Sequence, residues 1–99
     1  MISEIAILDV KDGETLAFEA AVSKAAPLFK RARGCLAFRL ERSLEIPSRY
    51  WLTVHWQTLD DHVLHFRNSD DHAQWHRFVR HHLAAAPLVE HGEIVIPAF

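Results

Sequence analysis

Residues 49–75 read RYWLTVHWQTLDDHVLHFRNSDDHAQW, and the change from strand to helix within this stretch decides the fold. The first part, 49–57, is dense in aromatic and β-branched residues, which predicts a strand. A pair of aspartates then places acidic groups where the positive end of a helix dipole favours them, so a short helix is predicted over 60–67. Ser69, followed by two more aspartates, repeats the signal and starts a second helix.

The second helix carries its apolar residues on one face. Residues at i, i+3, i+4 and i+7 form this stripe, namely Trp75, Phe78, Val79 and His82. Proline cannot continue a helix, so the helix is predicted to end before Pro87. A closing strand is predicted over 89–96.

The first half of the chain supplies the partners of these elements. An apolar segment over 1–10 predicts a strand, and helical spacing over 14–31 predicts an amphipathic helix. Pro27 lacks a backbone donor, so a kink or an early end of that helix is expected near Ala26. Alternating residues over 35–42 predict a further strand, antiparallel to the one over 49–57.

The order β-α-β-β-α-β predicts an α+β, ferredoxin-like fold that fills residues 1–99 as one domain. The strand over 1–10 is apolar on both faces, as in a sheet that is covered twice. Helices would cover one face. A second copy of the chain would cover the other, which predicts a homodimer in the form of a dimeric α/β barrel.

Composition excludes several classes of function. The 11 basic and 13 acidic residues give a net charge of −2 and are interspersed along the chain. Without a basic stripe, nucleic acid and membrane surfaces are not expected partners. The single cysteine, Cys35, cannot form an internal disulfide, and the first ten residues have neither a basic region nor a long apolar run. A cytoplasmic protein is the expectation.

Local motifs point to a family. Gly34-Cys35 opens the second strand, and Trp56-Gln57-Thr58, Asp61-His62, Phe66-Arg67-Asn68-Ser69, Trp75 and Pro87-Leu88-Val89-Glu90-His91 follow in order. In order and spacing these motifs resemble the antibiotic biosynthesis monooxygenase domain family. The resemblance covers nearly the whole chain.

The resemblance implies a homodimer with a small-molecule pocket between sheet and helices in each subunit. Several members of that family use no metal, flavin or haem, so no cofactor is expected. In its quinone-forming members the deprotonated substrate, an anthrone or dihydroquinone, supplies the electrons that reduce dioxygen. The resemblance therefore implies a cofactor-independent monooxygenase whose partners are a small aromatic or enolisable substrate and dioxygen.

A haem-degrading branch of the same family is similar over 56–76. His76 falls near the position of that branch's haem-ligating histidine. However, Phe66 stands where the branch has tryptophan, and Ala6 stands where it has asparagine. These differences make haem degradation the less favoured alternative.

Oxygenation without a cofactor needs a base and a partner for the oxyanion. Histidine titrates near neutrality, and His62 and His65 lie on the helix that borders the family pocket. Arg67 follows at the end of that helix and could steady an oxyanion or cap the helix. We take His62, His65 and Arg67 as candidate catalytic residues, with a solvated helix face as the alternative for each histidine.

The candidate substrate-binding residues are mainly aromatic. They are Trp56, Phe66, Trp75 and Phe38, together with His76. Aromatic side chains in a small domain are often core residues, and that alternative stays open for each.

Eight histidines in 99 residues also raise the question of metal binding. His72 and His76 are four residues apart on a predicted helix, a spacing at which two imidazoles can share a metal. No third ligand stands at motif spacing, so no metal site is predicted. His55 and His91 are interpreted as structural residues of the dimer interface.

Two further functions remain open. The chain could be a non-catalytic, dimeric ligand-binding or stress-associated module, or an isomerase or lyase that uses the same base without oxygen. A base that points into the pocket near Arg67 would favour catalysis, whereas an entirely apolar lining would favour binding alone.

Overall fold

The computed structural model describes residues 1–99, and its elements follow the predicted order. The strands are β1 (Ile2–Asp9), β2 (Cys35–Arg42), β3 (Arg49–Trp56) and β4 (Leu88–Glu93), and the helices are α1 (Thr15–Lys30) and α2 (Asp70–Val79). A π-helical turn spans Asp61–Phe66 and a 3₁₀ turn spans Arg80–His82. The strands pair antiparallel in the order β2-β3-β1-β4. This architecture confirms the predicted α+β, ferredoxin-like fold.

The core lies between one face of the sheet and the helices. Strand alternation turns every second residue of β1 and β3 toward α1 and α2. The buried hydrophobic residues are Ala6 and Leu8 from β1, Val10 directly after it, Tyr50, Leu52, Val54 and Trp56 from β3, Phe18, Val22, Ala25, Leu28 and Phe29 from α1, Phe66 from the π-helical turn, and Trp75 and Val79 from α2. One continuous hydrophobic core therefore holds the helices against the sheet.

Helix α1 does not end where Pro27 predicted. It continues through Pro27 to Lys30, and the N–H of Arg31 still bonds to the carbonyl of Pro27 at 3.2 Å. Pro27 lies in the last turn, so the missing N–H leaves only one carbonyl unpaired. Burial of Leu28 and Phe29 against the core keeps this turn helical.

The predicted helix over 60–67 is a wider, π-helical turn. The N–H of Arg67 bonds to the carbonyl of His62 at 3.0 Å, five residues back. In a π-helix, residues four apart share a face more closely than in an α-helix, so His62 and Phe66 are buried together. The turn starts at Asp61, which accepts hydrogen bonds from the hydroxyl (2.9 Å) and backbone N–H (3.2 Å) of Thr58.

The closing strand is shorter than predicted. Glu93 pairs with Ile2 at the start of β1, so the sheet offers no partner strand beyond this point. Residues 94–99 are consequently exposed and not part of the sheet, although the prediction extended the strand to residue 96.

The outer face of the sheet, opposite the helices, is partly apolar and uncovered in the single chain. Ile5 is 38% exposed, Trp51 is 37% exposed and Leu88 is 63% exposed. Dimerisation through this face stays a prediction. None of the helices has both the length and the apolar character needed to cross a bilayer.

Candidate functional site

A cavity of about 280 Å³ lies between the sheet and α2. One part of its wall is apolar and is formed by Ala6, Leu8, Leu52, Trp75, Val79, Leu83, Pro87 and Val89. The rest is titratable or charged and consists of Glu4, His62, Arg67, His72, His76 and Arg80. Such a wall suits a small molecule with both an apolar body and a polar group.

Glu4 is a carboxylate on an otherwise apolar strand face. Alternation along β1 places it on the same side as Ala6 and Leu8, and it is 6% exposed. Its Oε1 accepts a hydrogen bond from the indole N–H of Trp56 at 3.0 Å. This bond orients the carboxylate at the inner end of the cavity.

His62 lies directly beside Glu4. Its imidazole stacks on the Trp56 indole, with ring centroids 5.2 Å apart and planes inclined by 12°. The Nε2 atom of His62 lies 3.3 Å from Oε1 of Glu4, and only 5% of the His62 side chain is exposed. The stacking leaves the ring little freedom, so both of its nitrogens have fixed directions.

The second ring nitrogen of His62 contacts β4. Its Nδ1 lies 2.7 Å from Nε2 of His91, a hydrogen-bond distance. His91 is paired across the sheet with Glu4, so the β1–β4 register brings the three side chains together. His91 itself is exposed and faces the helix side of the sheet.

Burial lowers the pKa of His62 and raises the pKa of Glu4. Desolvation, followed by the charges of Arg67, His91 and His72, lowers the pKa of His62 from 6.5 to about 4. Desolvation raises the pKa of the Glu4 carboxyl, although the Trp56 hydrogen bond and Arg67 act against it. His62 is consequently neutral at pH 7.

Two arginines on the cavity wall have no carboxylate partner. Arg67 follows the π-helical turn and Arg80 follows α2, and neither forms an ion pair. In contrast, Arg31 and Arg49 are each held by an aspartate. The guanidinium groups of Arg67 and Arg80 are therefore free to meet an anionic ligand.

Helix α2 adds two more imidazoles. Its start is fixed by Ser69, whose hydroxyl accepts the backbone N–H of His72. The His72 and His76 rings are 4.5 Å apart in an edge arrangement, and burial lowers the pKa of His72. No group of three or more His, Cys, Asp or Glu side chains is arranged to hold a metal ion.

A close backbone approach fixes the π-helical turn. Gly34 has a φ of +75°, and its carbonyl accepts the N–H of Gln57 at 2.7 Å. A Cβ at Gly34 would overlap the Asp61 carboxylate, the group that starts the turn. The turn therefore depends on a glycine at this position.

The cavity takes some of the residues that were predicted from sequence. His62, Arg67, Trp75 and His76 line it together. His65 lies on the exposed side of the π-helical turn, outside the cavity, because its neighbours His62 and Phe66 occupy the inner side.

The remaining predicted aromatic residues lie elsewhere. Trp56 and Phe66 are buried behind His62 and pack on Phe29, so they support the site from the core. Phe38 lies on β2, where it lines a different groove against Pro27 of α1. Of these three, Trp56 contacts the His62 ring directly, and Phe66 packs on Trp56.

Sequence reasoning missed Glu4, His72 and Arg80 in the cavity wall and the contact of His91 with His62. Glu4 carried a usable signal, because period-two alternation places it on the face of Ala6 and Leu8. No sequence signal could have placed His91 beside His62, because this contact depends on the register between β1 and β4.

The chain is similar in sequence to known proteins. The sequence profile of the antibiotic biosynthesis monooxygenase family matches residues 1–77. The Bacillus subtilis protein YczJ, described as uncharacterized, is 34% identical over 95 residues, which are 96% of this chain and 100% of YczJ.

Solved structures assigned to the same family are also similar to this chain. A protein from Bordetella bronchiseptica, assigned as an antibiotic biosynthesis monooxygenase, is 45% identical with a TM-score of 0.93 and covers 96% of this chain and 97% of its own. A Caulobacter crescentus protein with the same assignment is 24% identical with a TM-score of 0.84, covers 96% and 90% of the two chains, and shows the shared fold.

Proposed function

The chain belongs to the antibiotic biosynthesis monooxygenase family, and we propose that it is a cofactor-independent monooxygenase acting on a small aromatic (anthrone-like or quinol-like) or enolisable compound. The observation that carries this proposal is the cavity in which a buried, neutral His62 lies 3.3 Å from Glu4 and shares the wall with Arg67. Base and cation thus face one small-molecule space.

In the proposed reaction, the pair Glu4–His62 provides the base that removes a proton from the acidic carbon of the substrate. Arg67 stabilises the resulting enolate oxygen. The carbanion transfers electrons to dioxygen, and a carbon–oxygen bond forms to give a peroxide, which takes up a proton.

The peroxide then breaks down to the product. The second C–H proton leaves, the O–O bond breaks, and hydroxide departs with a proton as water. The sum is R₂CH₂ + O₂ → R₂C=O + H₂O, so the substrate supplies all the electrons. In this scheme the protein removes protons, stabilises negative charge and excludes water.

The charges of the wall favour an anionic form of the substrate. Arg67 and Arg80 lack carboxylate partners, and His76 lies between them in sequence on the same wall. Trp75 and the aliphatic residues supply the apolar part of the pocket, which suits fused aromatic rings.

The titratable wall also separates this proposal from a ligand-binding module. A site for binding alone has no need of a buried base beside a cation, whereas both Glu4 and His62 are held in the wall at the cost of their desolvation. Because the buried base is present, an isomerase or lyase that uses this base without dioxygen is the second candidate function. Dioxygen consumption distinguishes the monooxygenase from the isomerase or lyase.

The test is dioxygen uptake by chelator-treated protein with anthrones, dihydroquinones and catechols. Uptake that exceeds the protein-free rate and yields the corresponding quinone is the expected result. Enolisation without uptake would identify an isomerase or lyase, and binding without either reaction would identify a ligand-binding module.

We further propose that the protein works as a cytoplasmic homodimer. The support is the uncovered apolar part of the outer sheet face, including Ile5 and Trp51. Pairing of two such faces would give the dimeric α/β barrel.

A further inference from the structure

Three side chains form a continuous chain from the cavity to the surface. Glu4 lines the cavity, His62 lies 3.3 Å from it, and His91 lies 2.7 Å beyond His62. Glu4 and His62 are buried, whereas His91 is exposed. This row of side chains therefore has a buried end in the cavity, at Glu4, and a solvent-exposed end, at His91.

His62 has no free nitrogen. Its Nε2 faces the Glu4 carboxylate and its Nδ1 faces Nε2 of His91, while Trp56 covers one side of the ring. A neutral imidazole has one N–H and one lone pair, so a proton taken up at one nitrogen can be followed by the loss of a proton from the opposite nitrogen. His62 is therefore placed to pass a proton between Glu4 and His91.

We propose that Glu4, His62 and His91 form a proton relay in which Glu4 exchanges a proton with the bound substrate, His62 passes it on, and His91 exchanges it with solvent. The inference rests on the proposed function for the identity of the substrate. Glu4 is then the catalytic base, and His62 and His91 act through it.

The outward step begins with the protons of both imidazoles on Nδ1. Glu4 takes the substrate proton and gives it to His62 Nε2, His62 gives its Nδ1 proton to His91 Nε2, and His91 releases its Nδ1 proton to water. Both imidazoles now carry their proton on Nε2. The inward step runs in reverse and restores the first arrangement.

The proposed oxygenation uses the relay once in each direction. Deprotonation of the carbon sends one proton out, and protonation of the peroxide takes one in. No proton is gained or lost over these two steps, and both imidazoles return to their starting tautomers. The inward transfer is needed because each outward transfer leaves both imidazoles in the other tautomer.

The groups around His62 disfavour an imidazolium at rest, and only the Glu4 carboxylate favours a transient one. Glu4 faces it from β1, His91 from β4, His72 from α2, and Arg67 from the end of the π-helical turn. The cations and burial keep the imidazole neutral at rest, whereas the carboxylate lowers the cost of brief protonation.

The first experiment needs no substrate. Nitrogen-15 NMR of the histidine rings would follow solvent exchange of the His62 N–H in wild type and in His91→Gln. The control is His81→Gln, at an exposed position of the 3₁₀ turn that does not line the cavity. Exchange should slow in His91→Gln and stay unchanged in His81→Gln. Equal exchange in wild type and His91→Gln would overturn the relay.

The second experiment uses anthrone in deuterated water without dioxygen. Wild type should speed deuterium entry at the acidic carbon above the protein-free rate. Glu4→Gln, which keeps the acceptor for the Trp56 N–H, should lower this rate by about 10²-fold, the usual scale for loss of a general base. Glu4→Asp should retain more activity because it keeps the carboxyl group.

The two experiments separate failure of the relay from failure of the proposed function. If wild type shows neither deuterium entry nor dioxygen uptake with any compound of the panel, the proposed function is wrong, and NMR exchange alone decides whether His91 connects His62 to solvent. If wild type is active and Glu4→Gln is equally active, the relay is wrong while the function stands.

Discussion

The imidazole of His62 lies flat against the indole of Trp56, which in turn donates its N–H to Glu4. Trp56 is completely buried, so it acts as a fixed support for both titratable groups. Stacking of the His62 ring on Trp56 contributes to stability, whereas the ring nitrogens of His62 serve proton transfer. Substitutions of His62 can separate these two contributions.

We therefore expect different results from two substitutions of His62. His62→Phe keeps an aromatic ring against Trp56 but removes both nitrogens, so turnover of a true substrate should fall by about 10²-fold or more with little change in melting temperature. His62→Ala also opens a cavity and should cost about 2 kcal/mol or more of stability.

The measurements are dioxygen uptake and thermal unfolding monitored by circular dichroism. His65→Ala is the matched control, since this histidine lies on the exposed side of the same turn and should retain both activity and stability. Full activity of His62→Phe would remove His62 from the mechanism.

The stability of the fold should fall as the pH decreases from about 6.5 to 4. Because the folded-state pKa of His62 is about 4 and its ordinary value is 6.5, the unfolded chain binds more protons in this window. The neutral form stabilises the fold above pH 6.5, and up to about 3 kcal/mol of this contribution is lost by pH 4.

His72 and His91, whose pKa values are also lowered, act in the same direction, whereas the raised pKa of Glu4 acts in the opposite one. Urea unfolding of wild type and His62→Phe at several pH values isolates the His62 contribution. The two proteins should differ little at neutral pH, and His62→Phe should become the more stable, by up to about 3 kcal/mol, as the pH falls toward 4. A constant difference would contradict the low pKa.

Arg67 and Arg80 should select anionic ligands. Removing one guanidinium, as in Arg80→Gln, should weaken binding of 2-naphthoate by about 10-fold or more, since hydrogen bonds to charged groups contribute about 1.5–3 kcal/mol. Binding of uncharged naphthalene-2-carboxamide should change less. Isothermal titration calorimetry at two salt concentrations measures both.

Arg77→Gln is the control for this pair. Arg77 also lies on α2 and forms no ion pair, but it does not line the cavity. An equal loss of affinity in Arg77→Gln would show that long-range charge, and not contact in the cavity, governs binding.

The outer sheet face should form the dimer. Placing a carboxylate there by Trp51→Asp should shift the protein from dimer to monomer in sedimentation velocity at micromolar concentration. Leu16→Asp, at a position on α1 that is 78% exposed, should leave the dimer intact. A wild-type monomer under these conditions would exclude the barrel.

Gly34→Ala should destabilise the site as well as the fold. Positive φ costs a non-glycine residue roughly 1 kcal/mol or more, and the added Cβ would displace Asp61. Thermal unfolding should show the loss. Gly13→Ala, which also has positive φ but meets no atom within 4 Å, separates the conformational cost from the overlap.

Sequence patterns were sufficient where local and tertiary preferences agree. Alternation over 35–42 and 49–57 and the helical stripe from Trp75 to Val79 predicted elements that the structure contains. The patterns were insufficient at Pro27, where burial of the following residues maintains the helix, and at residues 94–96, where the sheet has no further partner strand.

The sequence by itself determined the α+β class and the order of elements, because hydrophobic periodicity depends only on neighbouring residues. Only the tertiary structure decided that Glu4 and His91 meet His62. These residues are 58 and 29 positions from it, and their contact depends on strand register and on the width of one π-helical turn. Registers and turn widths are set by packing across the whole core, which no local pattern records.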